Sequence, residues 1–305
     1  MFIYLTLETK LNRWLKIKAK HISTKAWKTF MKLSKRRALL LAACITALCT
    51  LLVAAPLLMH PEPDLHTATA KAIDFLEDRN EPYALLWLDV IYRRFGITEF
   101  ADALQRYDQL LTEQPEDAAL LRVFRRMVDY NNPLQTEDLQ AVSLPSDIII
   151  VHALYCDRPE RGLPVDYPRM LDREASKGGY YLTHVLLAWI WVQENGCELA
   201  LPDGFIDAVY SANAAIINDD PTTVDDLKLE AAAFLYLAGQ GDLVDDSFVE
   251  RAIASQNDDG SWGNSSNDQE AEYLHWHSTI LGLLLLLHVE FPADSYPPML
   301  DSASP

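Results

Sequence analysis

The segment from Ala38 to Met59 reads ALLLAACITALCTLLVAAPLLM and carries no charged side chain over twenty-two residues. A bilayer core takes roughly 20 apolar residues in a helix, so the length fits one membrane span. A buried core helix is the alternative, although core helices of this length usually show a polar face and this one shows none. Charge breaks sharply across it. Residues 1–37 hold eleven Lys or Arg against the single acid Glu8, while the remainder of the chain holds fifteen bases against forty-three acids, a net of −28. Basic flanks stay in the cytoplasm, which predicts a single-pass protein of the inner (plasma) membrane with its acidic domain on the periplasmic or extracytoplasmic side.

Three further alternatives attach to this segment. Met31 opens MKLSKRR and is a second candidate start. A cleaved signal peptide is another reading, though Pro56 directly after Val53-Ala54-Ala55 disfavours cleavage there. Leu41-Ala42-Ala43-Cys44 resembles a lipobox, but six apolar residues precede Cys44 and fifteen mostly apolar ones follow it. An uncleaved signal-anchor is the reading adopted. The basic segment 1–37, with Trp14, Trp27 and Phe30 interleaved, suits anionic lipid at a membrane interface. The acidic remainder excludes nucleic acid as a partner, because phosphate binding needs a basic face.

Beyond a stiff linker at 60–64 (His-Pro-Glu-Pro-Asp), the pattern predicts an all-α domain over 65–291 and a disordered tail at 292–305. Apolar residues recur at helical spacing in 64–79, 83–95, 99–113, 116–130, 145–155, 179–194, 203–218, 223–238, 246–256 and 270–290. Pro82 and Pro115 stand where a first helical turn tolerates proline, and Gly96 stands where a helix ends. No run shows sustained strand alternation. Cys156 and Cys197 fall in the outer domain, where an oxidising compartment permits a disulfide; two buried free thiols are the alternative. Cys44 and Cys49 lie in the apolar span.

Gln256-Asn257-Asp258-Asp259-Gly260-Ser261-Trp262-Gly263 resembles the QW motif of squalene and oxidosqualene cyclases, and His275-Trp276-His277-Ser278-Thr279-Ile280 resembles the inner helix that follows it. Lys177-Gly178-Gly179-Tyr180-Tyr181 is similar to the GGF turns of the same group, which includes the protein prenyltransferases. The resemblance covers about residues 176–291 and implies an α/α-toroid, a ring of helical hairpins. The motif also has a plain structural reading, in which Asp259-Gly260 forms a tight turn, Trp262 packs across helix ends, and Gln256 bonds free backbone groups at a helix terminus. The catalytic residues of these families are not matched. An Asp-x-Asp-Asp acid motif meets Thr223-Val224-Asp225-Asp226, Asp219-Asp220 lacks a following Asp, and Cys156-Asp157 reverses the zinc-binding Asp-x-Cys order.

With the aliphatic helices placed in register, His184, Glu230 and His277 each begin one, at intervals of 46 and 47 residues. In a ring, equivalent positions converge on the centre. Two imidazoles and a carboxylate there would make a catalytic acid/base set or a facial triad for a divalent metal. His275 is a candidate fourth ligand or orienting partner, and His152 a further cavity residue. Tyr180, Tyr181, Trp189, Trp191, Tyr273 and Trp276 would give aromatic walls for an apolar or sugar-like ligand. Asp225, Asp226, Asp245 and Asp246 read as helix-start charges. No phosphate loop, G-x-S-x-G elbow or H-E-x-x-H occurs. Two functions fit: a membrane-tethered module of the cell envelope that binds a ligand or a protein partner, or an envelope enzyme acting on a lipid-like or glycan substrate through the His/Glu cluster.

Overall fold

The computed structural model describes residues 64–113, 118–135, 137–158, 161–263 and 269–301, excluding the side chains of 118 and 269–274. The anchor at 38–59, the basic segment 1–37, Cys44, Cys49, most of the 60–64 linker and the Tyr273 side chain lie outside these residues. Among the described residues no helix is long and apolar enough to cross a membrane. The chain divides between Glu62 and Pro63.

The described residues form eleven α-helices and no strand. They are α1 (Leu65–Glu77), α2 (Pro82–Phe95), α3 (Ala103–Glu113), α4 (Ala118–Phe124), α5 (Pro145–Leu154), α6 (Tyr167–Ala175), α7 (Tyr180–Glu194), α8 (Phe205–Asn218), α9 (Asp226–Leu237), α10 (Asp246–Ala254) and α11 (Gln269–Glu290). Their starts follow local chemistry. Asp64 and Asp225 cap α1 and α9 by accepting from the backbone N–H of Thr67 and Lys228, and Pro82, Pro145 and Pro168 occupy first-turn positions that need no N–H. Gly96 closes α2 in the left-handed conformation at φ 73°.

Two kinds of helix result. α2, α5, α7 and α9 bury residues around most of their circumference, and so does the described part of α11. α3, α6, α8 and α10 bury one stripe. A helix apolar all round must sit inside, and an amphipathic one outside it. The packing agrees: α5 lies against α7, α7 against α9, α9 against α11, and α11 against α1 and α2, while α3, α6, α8 and α10 lean on these from outside. The sequence pattern missed α6, in which Pro168 sits in the first turn.

The segment 256–263 joins the first helix to the last two. Gln256 Nε2 donates to Ala68 O at 2.8 Å and to Gly260 O at 3.0 Å. Trp262 Nε1 donates to Ala252 O at 2.7 Å, and its backbone N–H to Thr279 Oγ1 at 3.0 Å. Asp259 Oδ1 accepts from Ser261 N–H at 3.0 Å, holding the turn. Gly260 sits at φ 89° with Lys71 O only 2.1 Å from where a Cβ would stand, so both backbone angle and space demand glycine. These contacts link the helices, but Gln256 bonds Ala68 O within α1 and Gly260 O in its own turn, where free groups at a helix terminus were expected.

At the helix C-termini, Cys156 and Cys197 form a disulfide that ties the end of α5 to the end of α7. The expected disordered tail does not hold over its described part. Met299 and Leu300 are buried, and their N–H groups donate to the Glu194 carboxylate at 2.9 and 3.0 Å. Arg93 and Arg94 donate to the carbonyls of Met299 and Pro297, and Asp301 N–H to Met127 O. Two large apolar residues and a row of backbone partners hold this part of the chain.

Candidate ligand cavity

One cavity of about 570 Å³ is lined by six helices or the residues flanking them. α2 supplies Tyr83, Leu86 and Trp87, and the α4 region supplies Leu120, Phe124 and Met127. The start of α5 supplies Leu144, Ser146, Asp147 and Ile150, α7 supplies Tyr180, His184, Leu187 and Trp191, α9 supplies Asp226 and Glu230, and α11 supplies Trp276 and His277. Spacings of three and four residues place the α2, α4, α7 and α9 sets each on one helix face. On α7, Tyr180 to Trp191 spans roughly 16 Å along the axis at 1.5 Å per residue. Polar groups gather at the N-terminal ends of α5, α7 and α9, near the start of the described part of α11.

His184, Glu230 and His277 come together there. His184 Nδ1 lies 3.5 Å from Glu230 Oε1, and His277 Nε2 lies 3.6 Å from Glu230 Oε2. The hydroxyl of Thr183 donates to Glu230. Asp226, read from sequence as a helix-start charge, belongs to the same cluster. Its Oδ1 lies 2.9 Å from His277 Nδ1 and accepts from Ser278 Oγ at 2.6 Å, while its Oδ2 accepts from Tyr180 OH at 2.8 Å. Asp225 is the helix cap. Asp226 and Glu230 stand one helical turn apart, so both project to the same side of α9.

The two carboxylates are pushed in opposite directions. Burial raises the pKa of Glu230, opposed by the neighbouring His184 and His277. Burial also acts to raise Asp226, but the His277 hydrogen bond and charge, with Ser278 and Tyr180, bring it below the ordinary carboxylate value. His277 loses by desolvation and gains more from Asp226 and Glu230, so its pKa is raised. Burial raises Asp147 as well. Burial thus works against charge on Glu230 and Asp147, while Asp226 and His277 each favour the charged form of the other.

The other sequence candidates fall differently. His152 lines a separate cavity of about 400 Å³ with Tyr155 and Arg161, edge-on to the Tyr167 ring at 6.0 Å. It lies two residues beyond Ile150, which turns it about 200° around α5 at 100° per residue, away from the face that bears Asp147. Tyr181 points outward, its ring beneath Lys177 Nζ at 4.3 Å, whereas Tyr180 lines the cavity. Trp189 donates to Tyr210 OH outside the cavity lining. Trp276 lines the cavity edge-on to His277. His275 is outside the lining, and the partner oriented against His277 is Asp226 instead. For a divalent ion, the described groups within 4.8 Å of one another are Asp226, Glu230 and His277, so Asp226 takes the place expected for His184.

His277 sits between two carboxylates with Nδ1 on Asp226 and Nε2 toward Glu230, an arrangement able to hold or pass a proton. No family model, curated protein or solved structure matches the chain.

Proposed function

We propose that residues 64–301 form an α/α-toroid that binds a small ligand in its central cavity, and that the segment 38–59 tethers it to the inner membrane with the cavity on the extracytoplasmic side. What supports the ring is the sequence of packed inner helices, the six-helix lining of one cavity, and the QW-like segment linking α1 to α10 and α11. The observation that carries ligand binding is the open cavity itself. A volume of about 570 Å³ falls in the ordinary range for small-molecule sites, and mostly apolar walls with a few convergent polar groups are their usual chemistry. Tethering follows from the uncharged span and the charge break on either side of it. Saturation-transfer NMR with 1,4-benzenedimethanol, a neutral water-soluble aromatic, tests the reading on the full chain in phosphatidylcholine nanodiscs. Saturable binding is expected, and Leu187→Trp, which projects a bulkier ring into the cavity, weakens it. Absence of binding, or binding indifferent to Leu187→Trp, would overturn the reading.

A second reading is favoured by one observation, the contact of Asp226 with His277 Nδ1 beside the oppositely shifted Glu230. Paired groups with separated pKa values are how proton-transfer enzymes divide acid and base roles. In an envelope enzyme acting on a glycan or lipid-like substrate, His277 or Glu230 would move the proton. Turnover that disappears in both His277→Gln and Glu230→Gln, while 1,4-benzenedimethanol still binds, would select the enzyme; equal turnover in both variants would exclude it.

A further inference from the structure

The cavity's lining divides by chemistry. The wall from α2 and α4 is aromatic and aliphatic, with Tyr83, Leu86, Trp87, Phe124 and Met127, while α7, α9 and α11 bring Tyr180, His184, Asp226, Glu230 and His277. Neither Lys nor Arg is among the described lining residues. An anionic ligand would therefore meet three carboxyl groups and no permanent cation, a repulsion that a desolvated site amplifies. A cationic ligand fares little better. The Asp226 carboxylate is already matched by His277 at 2.9 Å and by two hydroxyl donors. Glu230 has Thr183 and two imidazoles around it. Asp147, the third carboxyl of the lining, stands beside Ser146 and His184, so each carboxyl already faces an imidazole or hydroxyl partner.

We propose, resting on the ligand-binding reading above, that the occupant is an uncharged polyhydroxylated ring, the chemistry of a neutral sugar unit. Such a ring has two aspects, an apolar C–H face and an edge of hydroxyls that both donate and accept. The face matches the aromatic wall of Trp87 and Tyr83. The edge matches Tyr180 and His184, partly exposed polar groups across the cavity: His184 keeps 23% side-chain exposure and Tyr180 43% overall exposure. His184 Nδ1 lies 2.7 Å from Tyr180 O, so that nitrogen carries the proton and Nε2 remains an acceptor for a hydroxyl. Burial also disfavours the charged forms of Glu230 and Asp147.

Competition against 1,4-benzenedimethanol in the nanodisc-held full chain tests this. The competitors are cellobiose, maltose and N,N′-diacetylchitobiose as neutral sugars, glucuronate as an anion, phenyltrimethylammonium as a cation and hexane-1,6-diol as a flexible aliphatic diol. At least one neutral disaccharide is expected to compete about tenfold more strongly than the glucuronate, cation and diol arms, the equivalent of one good hydrogen bond. His184→Leu should weaken that sugar about tenfold, and Tyr180→Phe at the rim should weaken it less. Competition by glucuronate or the cation equal to that of the sugars, or by the diol alone, would overturn the proposal. So would sugar binding unchanged in both variants. If the aromatic probe binds and no sugar competes, the sugar proposal falls and the ligand-binding reading stands; if neither binds, both fall.

Discussion

The two ends of the inner helices treat the same residue types in opposite ways. At the C-terminal end, Arg93, Arg94 and Glu194 turn their hydrogen bonds onto the returning chain at 297–300, and a disulfide closes the gap between α5 and α7. Arg126 is fully buried there, bonded to Asp157, Asn195 and Asp301 O with its guanidinium over the Tyr130 ring. At the N-terminal end, Asp226, Glu230, His184 and His277 face one another around an open cavity. Polar groups at the first end are structural ties. Those at the second are satisfied enough to be tolerated in burial, yet keep faces toward the cavity. Stability and ligand chemistry are thereby separated along the helix axis.

The largest expected effect lies at the tied end. Arg126→Ala strands Asp157 and removes three polar contacts, and urea denaturation should show a loss of about 3–5 kcal/mol with cavity binding of 1,4-benzenedimethanol retained at low denaturant. A loss of binding without a loss of stability would break the separation of the two ends. Next comes the bridge. Cys156→Ser with Cys197→Ser opens a loop of 41 residues, and the same experiment should register about 2–4 kcal/mol.

The cavity end should instead show its effect in pH dependence. Glu230 has a raised folded-state pKa, so folding takes up a proton there and stability falls as pH rises above the unfolded value of Glu. His277 is also raised, so its contribution is present below the unfolded His value and disappears as pH climbs through the folded one. Asp226 is lowered and acts the other way, losing its contribution as pH falls through its folded value. Denaturation across pH 4–8, a range of roughly the unfolded Glu to His values with margins, should give a downward slope that flattens in Glu230→Gln. An unchanged slope would place Glu230 outside the titrating set. The smallest effect belongs to Tyr181→Ala. Its exposed ring touches Lys177 alone among cations, and stability should move by less than about 0.5 kcal/mol with ligand binding unaltered.

Much of this arrangement was legible because helices repeat. Equal spacing of His184, Glu230 and His277 along aliphatic helices was enough to bring them together. The QW-like segment showed its turn and its stapling residues directly. What stayed hidden was rotation about each helix axis. Tyr181 beside Tyr180, His152 two residues after Ile150, and His275 two residues before His277 differ from their neighbours by one or two steps of 100°. Those steps separate the cavity face from another face, and an all-apolar helix gives no polar stripe by which to read them. Asp226 was hidden for another reason, since beside Asp225 at a helix start it has the same appearance as a cap. The 292–301 strap was illegible because its partners, at Arg93, Arg126 and Glu194, are distant in sequence.

The open cavity is the point on which the functional account turns, and thiol labelling measures it directly. In a Cys44→Ala, Cys49→Ala background, Leu187→Cys places a thiol on the cavity wall, and Leu186→Cys places one in the sealed core beside it. Methyl methanethiosulfonate, small and uncharged, should modify the first in the folded protein about a hundredfold faster than the second, because access governs the rate once the thiols are chemically alike. Equal protection of both thiols would mean that side chains fill the centre, and would contradict a ligand site there.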